Sequence, residues 1–168
     1  MIVVDASILA AALGDDGSDG ERARGHLTGE RLFAPELIDL EVASVWRRAV
    51  RAGRLGGRRA RQALADLAAL PLARAPHQPL MSRICELRDN LTPYDAAYIA
   101  LAEALETPLL TADRRLARAP GARAVTGPPP RSLLSWLSRD ARPRRASRAL
   151  GHQGPPPCGR DASFIGRG

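Results

Sequence analysis

The residues of this sequence with the clearest chemical potential are acids at the ends of predicted strands. Asp5 follows the β-branched run that begins at Ile2, and Asp113 follows a short apolar run that begins at Leu109. Open parallel sheets bind ligands just beyond the carboxyl ends of their strands, so both acids are candidates for a site. Taken singly, Asp113 is equally well explained as a turn residue or as the N-cap of the next segment.

A third acid, Asp95, lies in the first turn of a predicted helix. Thr92 is a favourable N-cap, Pro93 suits the first helical position, and the charge of Asp95 meets the positive end of the helix dipole. The helix is predicted to continue to Glu106, because the residue before Pro108 is forced out of helical geometry. Taken alone, Asp95 is explained as a capping-box carboxylate.

The fourth acid, Glu41, belongs to a helix that Pro35 is predicted to open and that covers residues 36–52. The stripe predicted to face inward contains Leu37, Leu40, Glu41, Ser44, Val45 and Arg48. An ionised acid is rarely buried without a partner, so the position of Glu41 in the inward stripe requires a structural or functional explanation. One alternative is a Glu at the edge of the stripe that reaches solvent and pairs with Arg48. A neighbouring strip of Val42, Trp46 and Ala49 is predicted to be core, with a partner-binding surface as the alternative.

The remaining elements alternate between strand and helix. Strands are predicted at 2–4, 31–34, 72–75, 109–111 and 123–126, and further helices at 7–13, 18–27, 58–70, from 79 onward and at 132–137. Ser18 and Glu21 are predicted to form a capping box, and Leu64, Leu67 and Ala68 to face inward. This order favours an α/β fold with a parallel sheet and right-handed crossovers, which brings Asp5 and Asp113 to one edge.

Four acids gathered at one edge have a predictable chemistry. At a separation of about 5 Å and an effective dielectric near 20, each pair repels by roughly 3 kcal/mol. The acids must therefore be protonated, dispersed or bridged by cations. Oxygen-only ligands suit Mg²⁺ or Mn²⁺, not zinc, and one or two such ions position water for attack on phosphodiesters.

Composition excludes several other classes. All 25 basic residues are Arg, so a P-loop nucleotide site lacks its essential Lys. The length of 168 residues suits one catalytic domain. Asp5 interrupts the N-terminal apolar stretch, no apolar run is long enough to span a bilayer, and Cys85 and Cys158 lack disulfide-framework spacing. These features predict a reduced, cytoplasmic protein without a signal peptide.

The C-terminal region differs in composition from the rest of the chain. Residues 139–168 are rich in Arg, Pro and Gly and carry a net charge of +5 out of +7 for the whole chain. We predict one catalytic domain over 1–138 and a disordered tail over 139–168. The tail is expected to be dispensable, with RNA binding and partner contact as alternatives.

Four segments together resemble the PIN-domain ribonucleases, specifically the VapC toxins of toxin–antitoxin pairs. These segments are VVDAS, ELIDLEVASVWRR, TPYDAAYIALAEAL and PLLTADRRLAR, and the resemblance covers about residues 1–138. It implies a three-layer α/β/α sandwich with a mainly parallel sheet. It also implies Mg²⁺- or Mn²⁺-dependent cleavage of structured RNA, either transfer or ribosomal RNA, by a homodimeric toxin. A VapB-type antitoxin would inhibit the toxin and form a larger complex with it.

The same resemblance implies roles for individual residues. Asp5, Glu41, Asp95 and Asp113 would form the catalytic quartet, with Asp5, Asp95 and Asp113 as metal ligands. Two supporting residues, Ser7 and Thr111, follow from the same resemblance, and Arg114 and Arg115 are further candidates because they adjoin Asp113. Ser7 and Thr111 would be hydroxyls near the metal. The two arginines would contact phosphate or orient the acids, although a solvated helix start explains them equally well.

Two other functions remain open at this level. A degenerate fold acting only as a binding module for RNA or a protein partner would share most of the sequence. A metal-dependent phosphatase would use the same ions, but no nucleophile motif for it is present.

Overall fold

The computed structural model describes residues 1–113 and 116 of the chain. Four strands lie within this part: β1 (Ile2–Val4), β2 (Leu32–Pro35), β3 (Leu72–Ala75) and β4 (Leu109–Leu110). Six α-helices accompany them: α1 (Ala6–Gly14), α2 (Ser18–Leu27), α3 (Ile38–Arg51), α4 (Gly57–Ala69), α5 (Met81–Glu86) and α6 (Pro93–Ala104). A 3₁₀ helix at Gln78–Leu80 precedes α5.

The strands form one parallel sheet in the order β3-β2-β1-β4. Helices α1 to α4 pack with one another, and α5 and α6 form a separate layer in which α6 contacts β1, β2 and β4. Strand order explains this division: the crossovers β1→β2 and β2→β3 lead one way along the sheet, and the crossover β3→β4 leads back past β1. Right-handed crossovers that lead in opposite directions lie on opposite faces of the sheet. The predicted three-layer α/β/α architecture with a parallel sheet is therefore confirmed.

Helix α6 is the central support of its layer. Its predicted start is confirmed, since Thr92 Oγ1 accepts a hydrogen bond from the Asp95 N–H at 3.2 Å and Pro93 takes the first position. Every residue from Ala96 to Glu103 is buried, because the helix lies between the sheet and α5. Buried Glu103 receives two hydrogen bonds from Arg83 on α5, at 2.7 and 3.0 Å. The helix ends at Ala104, two residues earlier than predicted.

The predicted inward stripe of α3 is wrong. Leu40 is 77% exposed, and the buried face consists of Ile38, Val42 and Trp46. The helix begins at Ile38, and Pro35 is the last residue of β2 rather than the start of the helix. Apolar residues, Leu40 and Val42, flank Glu41 on both sides, so the sequence pattern alone does not select the buried face of α3. Tertiary packing selects it.

The core interpretation of the neighbouring strip is confirmed for Val42 and Trp46, which are buried, while Ala49 is half-buried. The Trp46 indole N–H donates to the carbonyl of Ala10 at 3.1 Å. A Cβ added to Gly14 would lie 2.4 Å from the same indole nitrogen, so the glycine lets α3 approach α1 closely.

Two smaller predictions on the same side of the sheet fail wholly or in part. On α4, Leu67 is buried as predicted, but Leu64 and Ala68 are exposed and Ala63 is buried instead. Gly17, not Ser18, is the N-cap of α2, and no side chain caps it, so the expected capping box does not form. The carboxylate of Asp15 instead accepts the Gly17 N–H at 2.8 Å.

Several predictions fall outside the described residues. They concern Arg114, Arg115, the elements at 123–126 and 132–137, the boundary at 138, the tail at 139–168 and the state of Cys158. Within residues 1–113 and 116, no helix is both long and apolar enough to cross a bilayer.

Candidate active site

Asp5 stands at the carboxyl end of β1, where the parallel sheet turns into α1. Its N–H donates to the Leu110 carbonyl at 3.0 Å, which sets the ends of β1 and β4 side by side. The Asp5 side chain is only 9% exposed. Its Oδ2 accepts two hydrogen bonds, from Ser7 Oγ at 2.6 Å and from Thr111 Oγ1 at 2.8 Å.

The two hydroxyls also bind the loop that follows β4. Ser7 Oγ accepts the Ala112 N–H at 3.1 Å, and Thr111 Oγ1 accepts the Asp113 N–H at 2.9 Å. Each hydroxyl therefore donates to Asp5 and accepts from the backbone next to Asp113. These four hydrogen bonds fix the orientation of the Asp5 carboxylate and connect it to the backbone of Asp113.

Glu41 reaches the same region from the first turns of α3. Its Oε2 accepts a hydrogen bond from the hydroxyl of Tyr98 at 2.5 Å. Tyr98 is 1% exposed and lies one turn after Asp95 on α6, so its hydroxyl needs a buried partner. The predicted alternative partner of Glu41, Arg48, instead donates to Ser44 Oγ at 2.9 Å.

Tyr98 is the residue of this region that sequence reasoning missed. The available signal was a tyrosine three positions after Asp95, on a helix apolar on all sides, because such a tyrosine must hydrogen-bond inside the core.

The electrostatics of Glu41 show which acids share one environment. Burial raises the pKa of the Glu41 carboxyl, the hydrogen bond from Tyr98 opposes this, and the negative charges of Asp5 and Asp95 raise the pKa further. The pKa of the Tyr98 phenol is raised by burial and by the Glu41 charge. The charges of Asp5 and Asp95 therefore both act on Glu41, and these three residues are called the acid cluster below.

Asp95 and Asp113 are more accessible than Asp5. Asp95 is half-buried, and its Oδ2 accepts a hydrogen bond from Thr92 Oγ1 at 2.8 Å, so its carboxylate contacts the N-cap side chain rather than the N-cap N–H that a complete capping box requires. Asp113 is exposed, and its backbone rather than its carboxylate is bound to Thr111. The structure thus places the backbone of Asp113 beside the end of β1, next to the hydroxyls that bind Asp5.

The donors present fit a hard divalent cation by chemistry. They are carboxylate and hydroxyl oxygens, and the charge repulsion felt by Glu41 is what a cation would relieve. Their spacing does not form a closed ligand set: within residues 1–113 and 116, no group of three or more His, Cys, Asp or Glu side chains is arranged to hold a metal ion. The assignment of Asp5, Glu41, Asp95 and Asp113 to one metal-binding quartet therefore stays a prediction.

Comparison with known proteins agrees with this architecture. The PIN domain family matches residues 2–122. Ribonuclease VapC9 of Mycobacterium tuberculosis is 49% identical over 116 residues, which are 69% of this chain and 88% of the relative. Ribonuclease VapC1 of the same organism is 46% identical over 120 residues, covering 71% and 90%. Ribonuclease VapC12 is 36% identical over 124 residues, covering 74% and 95%. The chain therefore belongs to the PIN-domain family and, within it, to the VapC ribonucleases.

Proposed function

We propose that this protein is the toxin of a VapBC-type toxin–antitoxin pair and a Mg²⁺- or Mn²⁺-dependent endoribonuclease. Its substrate is a structured RNA, transfer or ribosomal, cut by hydrolysis of one phosphodiester. The observation that supports the proposal most directly is the hydrogen-bonded arrangement of Ser7, Asp5 and Thr111 beside Glu41 and Asp95. The names of the relatives, all ribonucleases, support the same activity.

Each residue has a proposed role. Asp5, Asp95 and Asp113 would hold one or two ions, which supply activation of water and stabilisation of the leaving oxygen when bound. Ser7 and Thr111 orient the Asp5 carboxylate by donating to its Oδ2, and neither hydroxyl binds Oδ1. Tyr98 holds Glu41 beside Asp5 and Asp95, and the raised pKa of Glu41 suits its carboxylate to accept a proton. Arg114 and Arg115 are proposed to contact phosphate.

RNA cleavage with Mg²⁺ or Mn²⁺ tests the activity. Wild type is compared with Asp5→Asn and Asp95→Asn, which preserve side-chain size but remove a ligand charge. Asp66→Asn on α4 is the matched control, because its carboxylate binds Gln62 rather than the acid cluster. We expect cleavage by wild type and the control only. Equal cleavage by all four proteins would refute the assignment.

A binding module without catalysis is the second candidate, favoured by the absence of a closed ligand set within the described part of the chain. Mn²⁺ titration discriminates between the two. Ligand linkage at 100 times Kd stabilises the folded state by about 2.7 kcal/mol, so a metal-binding centre should melt at a higher temperature as Mn²⁺ rises. A pure binding module should show no rise, and neither should Asp5→Asn.

The proposed partners follow from the same family. They are a VapB-like antitoxin, a second copy of this chain in a homodimer, and the RNA substrate, in the cytoplasm. Size-exclusion chromatography with light scattering, with and without the product of an adjacent small gene, tests both protein partners. A monomer that forms no complex would contradict them.

A further inference from the structure

The body of the chain concentrates its positive charge in one segment. Residues 42–65 contain seven Arg and no acid, and all seven lie between Arg47 and Arg61. This segment covers most of α3, the following turn and the start of α4. The low net charge of residues 1–138 conceals it, because acids elsewhere offset it in the sum.

Two of these arginines lie on the same face of α3 as Glu41. Glu41, Ser44, Arg48 and Arg51 follow the i, i+3, i+7, i+10 spacing of a helical stripe, which borders the buried face of Ile38, Val42 and Trp46. At 1.5 Å per residue, Arg48 and Arg51 stand about 10 and 15 Å along the axis from Glu41. Both are exposed.

Among the described residues, Arg48 and Arg51 form no ion pair, so their charges are available to bind an anion. Arg59 on α4 binds Asp16 at 2.9 Å and also approaches Asp66, so its charge is already matched. No described carboxylate lies in ion-pair range of Arg48 or Arg51. Arg48 donates to Ser44, one turn nearer to Glu41, so its guanidinium lies back along the stripe towards the acid cluster.

A groove of about 410 Å³ runs along the same helix. Ser7, which binds Asp5, lines it near the acid cluster, and Arg54 and Leu55 line it beyond the end of α3. Val45 and Ala49 form its wall on α3. Asp15 and Asp19 also line this groove, whereas Arg48 and Arg51 lie outside its lining, so the exposed stripe beside the groove, rather than the groove itself, suits a polyanion.

We propose that Arg48 and Arg51, called the arginine stripe, bind phosphates of a single RNA strand on one side of the bond positioned at the acid cluster. The inference rests on the proposed ribonuclease function and adds the direction in which substrate leaves the centre. Charge complementarity selects the occupant, since a run of arginines without acids offers bidentate donors suited to phosphate oxygens. The stripe binds the backbone and does not read the base sequence.

Salt-dependent RNA binding tests the stripe without cleavage. A fluorescent single-stranded RNA is titrated with the full chain carrying Asp5→Asn, in EDTA, by anisotropy at several salt concentrations. Adding Arg48→Gln and Arg51→Gln should weaken binding and reduce the slope of log K against log salt by about 1.4, since each lost phosphate contact on a single strand removes about 0.7.

The matched control is Arg22→Gln with Arg31→Gln, which removes the same charge elsewhere. Arg31 precedes β2, at the amino-terminal ends of the strands, whereas the acid cluster lies at their carboxyl ends. Arg22 is exposed on α2. The C-terminal basic residues are common to all variants, so their contribution cancels. The test double variant should melt at the same temperature as the parent, and the control should melt at most slightly lower, because Arg22 forms an exposed pair with Asp19.

Three outcomes would overturn the stripe: no RNA binding by the parent, an equal slope change in both double variants, or unchanged RNA binding with lost binding to a poly-glutamate peptide. The last would reassign the surface to an acidic protein partner. Normal cleavage by wild type together with any of these results would refute the stripe and leave the ribonuclease standing. RNA binding that depends on the stripe, without cleavage by wild type, would support the stripe and refute the ribonuclease.

Discussion

The hydrogen bond from Tyr98 to Glu41 allows a quantitative prediction. Tyr98→Phe removes one hydroxyl from a side chain that is 1% exposed and leaves the ring in place. A hydrogen bond to a charged group contributes about 1.5–3 kcal/mol. Glu41 is half-buried and regains part of this from water, so we expect a loss of about 1–2 kcal/mol in the free energy of unfolding.

The same change should affect cleavage. If holding Glu41 in position is the role of the hydroxyl, that free energy also appears in the barrier, and cleavage slows by roughly 5- to 30-fold. The loss should fall on kcat and leave KM nearly unchanged, because Tyr98 is too deeply buried to touch RNA.

Tyr94→Phe is a matched control, since Tyr94 is on the same helix and is 62% exposed. Urea unfolding and single-turnover cleavage are measured for both variants. In combination with Glu41→Gln, Tyr98→Phe should cost less than it does alone, because the shared contact is already weakened. Stability and cleavage of Tyr98→Phe that match those of Tyr94→Phe would refute the positioning role.

Three further predictions concern stability. The folded pKa of Glu41 is raised above 4.5, so its contribution is fully present below that pH and is lost as the pH rises through the folded pKa. Metal-free Glu41→Gln should therefore gain stability relative to wild type between acidic and neutral pH, measured by urea unfolding. Arg83→Ala removes the two hydrogen bonds to buried Glu103 and should cost about 3–5 kcal/mol in unfolding free energy. Gly20→Ala should destabilise by about 1–3 kcal/mol, because its Cβ would lie 1.8 Å from the Asp15 carbonyl oxygen.

Each of these has a control in the same chain. Asp66→Asn should leave the pH profile unchanged. Arg22→Ala breaks only an exposed pair with Asp19 and should cost at most about 1 kcal/mol. Gly25→Ala, also within α2, has nothing within 4 Å of the added Cβ and should stabilise by up to about 1 kcal/mol. A control that behaves like its test variant would contradict the corresponding argument.

The strands and the start of α6 were predictable from sequence because local chemistry determines them. Thr92 and Pro93 specify a helix start in a way that no distant contact reverses. The face of α3 was not predictable by the same means. Leu40 and Ile38 are both apolar, and the choice between them depends on how Trp46 packs against Gly14, which is far away in the sequence.

The acids could be selected from sequence, but their arrangement could not. The position of Asp5 beside the end of β4 followed from strand order alone. The partner of Glu41 depended on an α6 side chain 57 residues later, and a pairing with Arg48 on the same helix looked equally reasonable from spacing. Three-dimensional information was therefore needed to identify Tyr98.

Strand β1 lies inside the sheet, and this has a consequence for synthesis. One neighbour, β2, follows within the next thirty or so residues, but Thr111 comes 106 residues after Asp5. At about 5–20 residues per second, a ribosome needs roughly 5–20 s to bridge that interval. Throughout it, the nascent chain has an open edge on β1 and an aspartate without its second hydroxyl. The candidate site is completed only by the fourth of the described strands, so, under the proposed function, a nascent chain should lack ribonuclease activity until β4 has emerged.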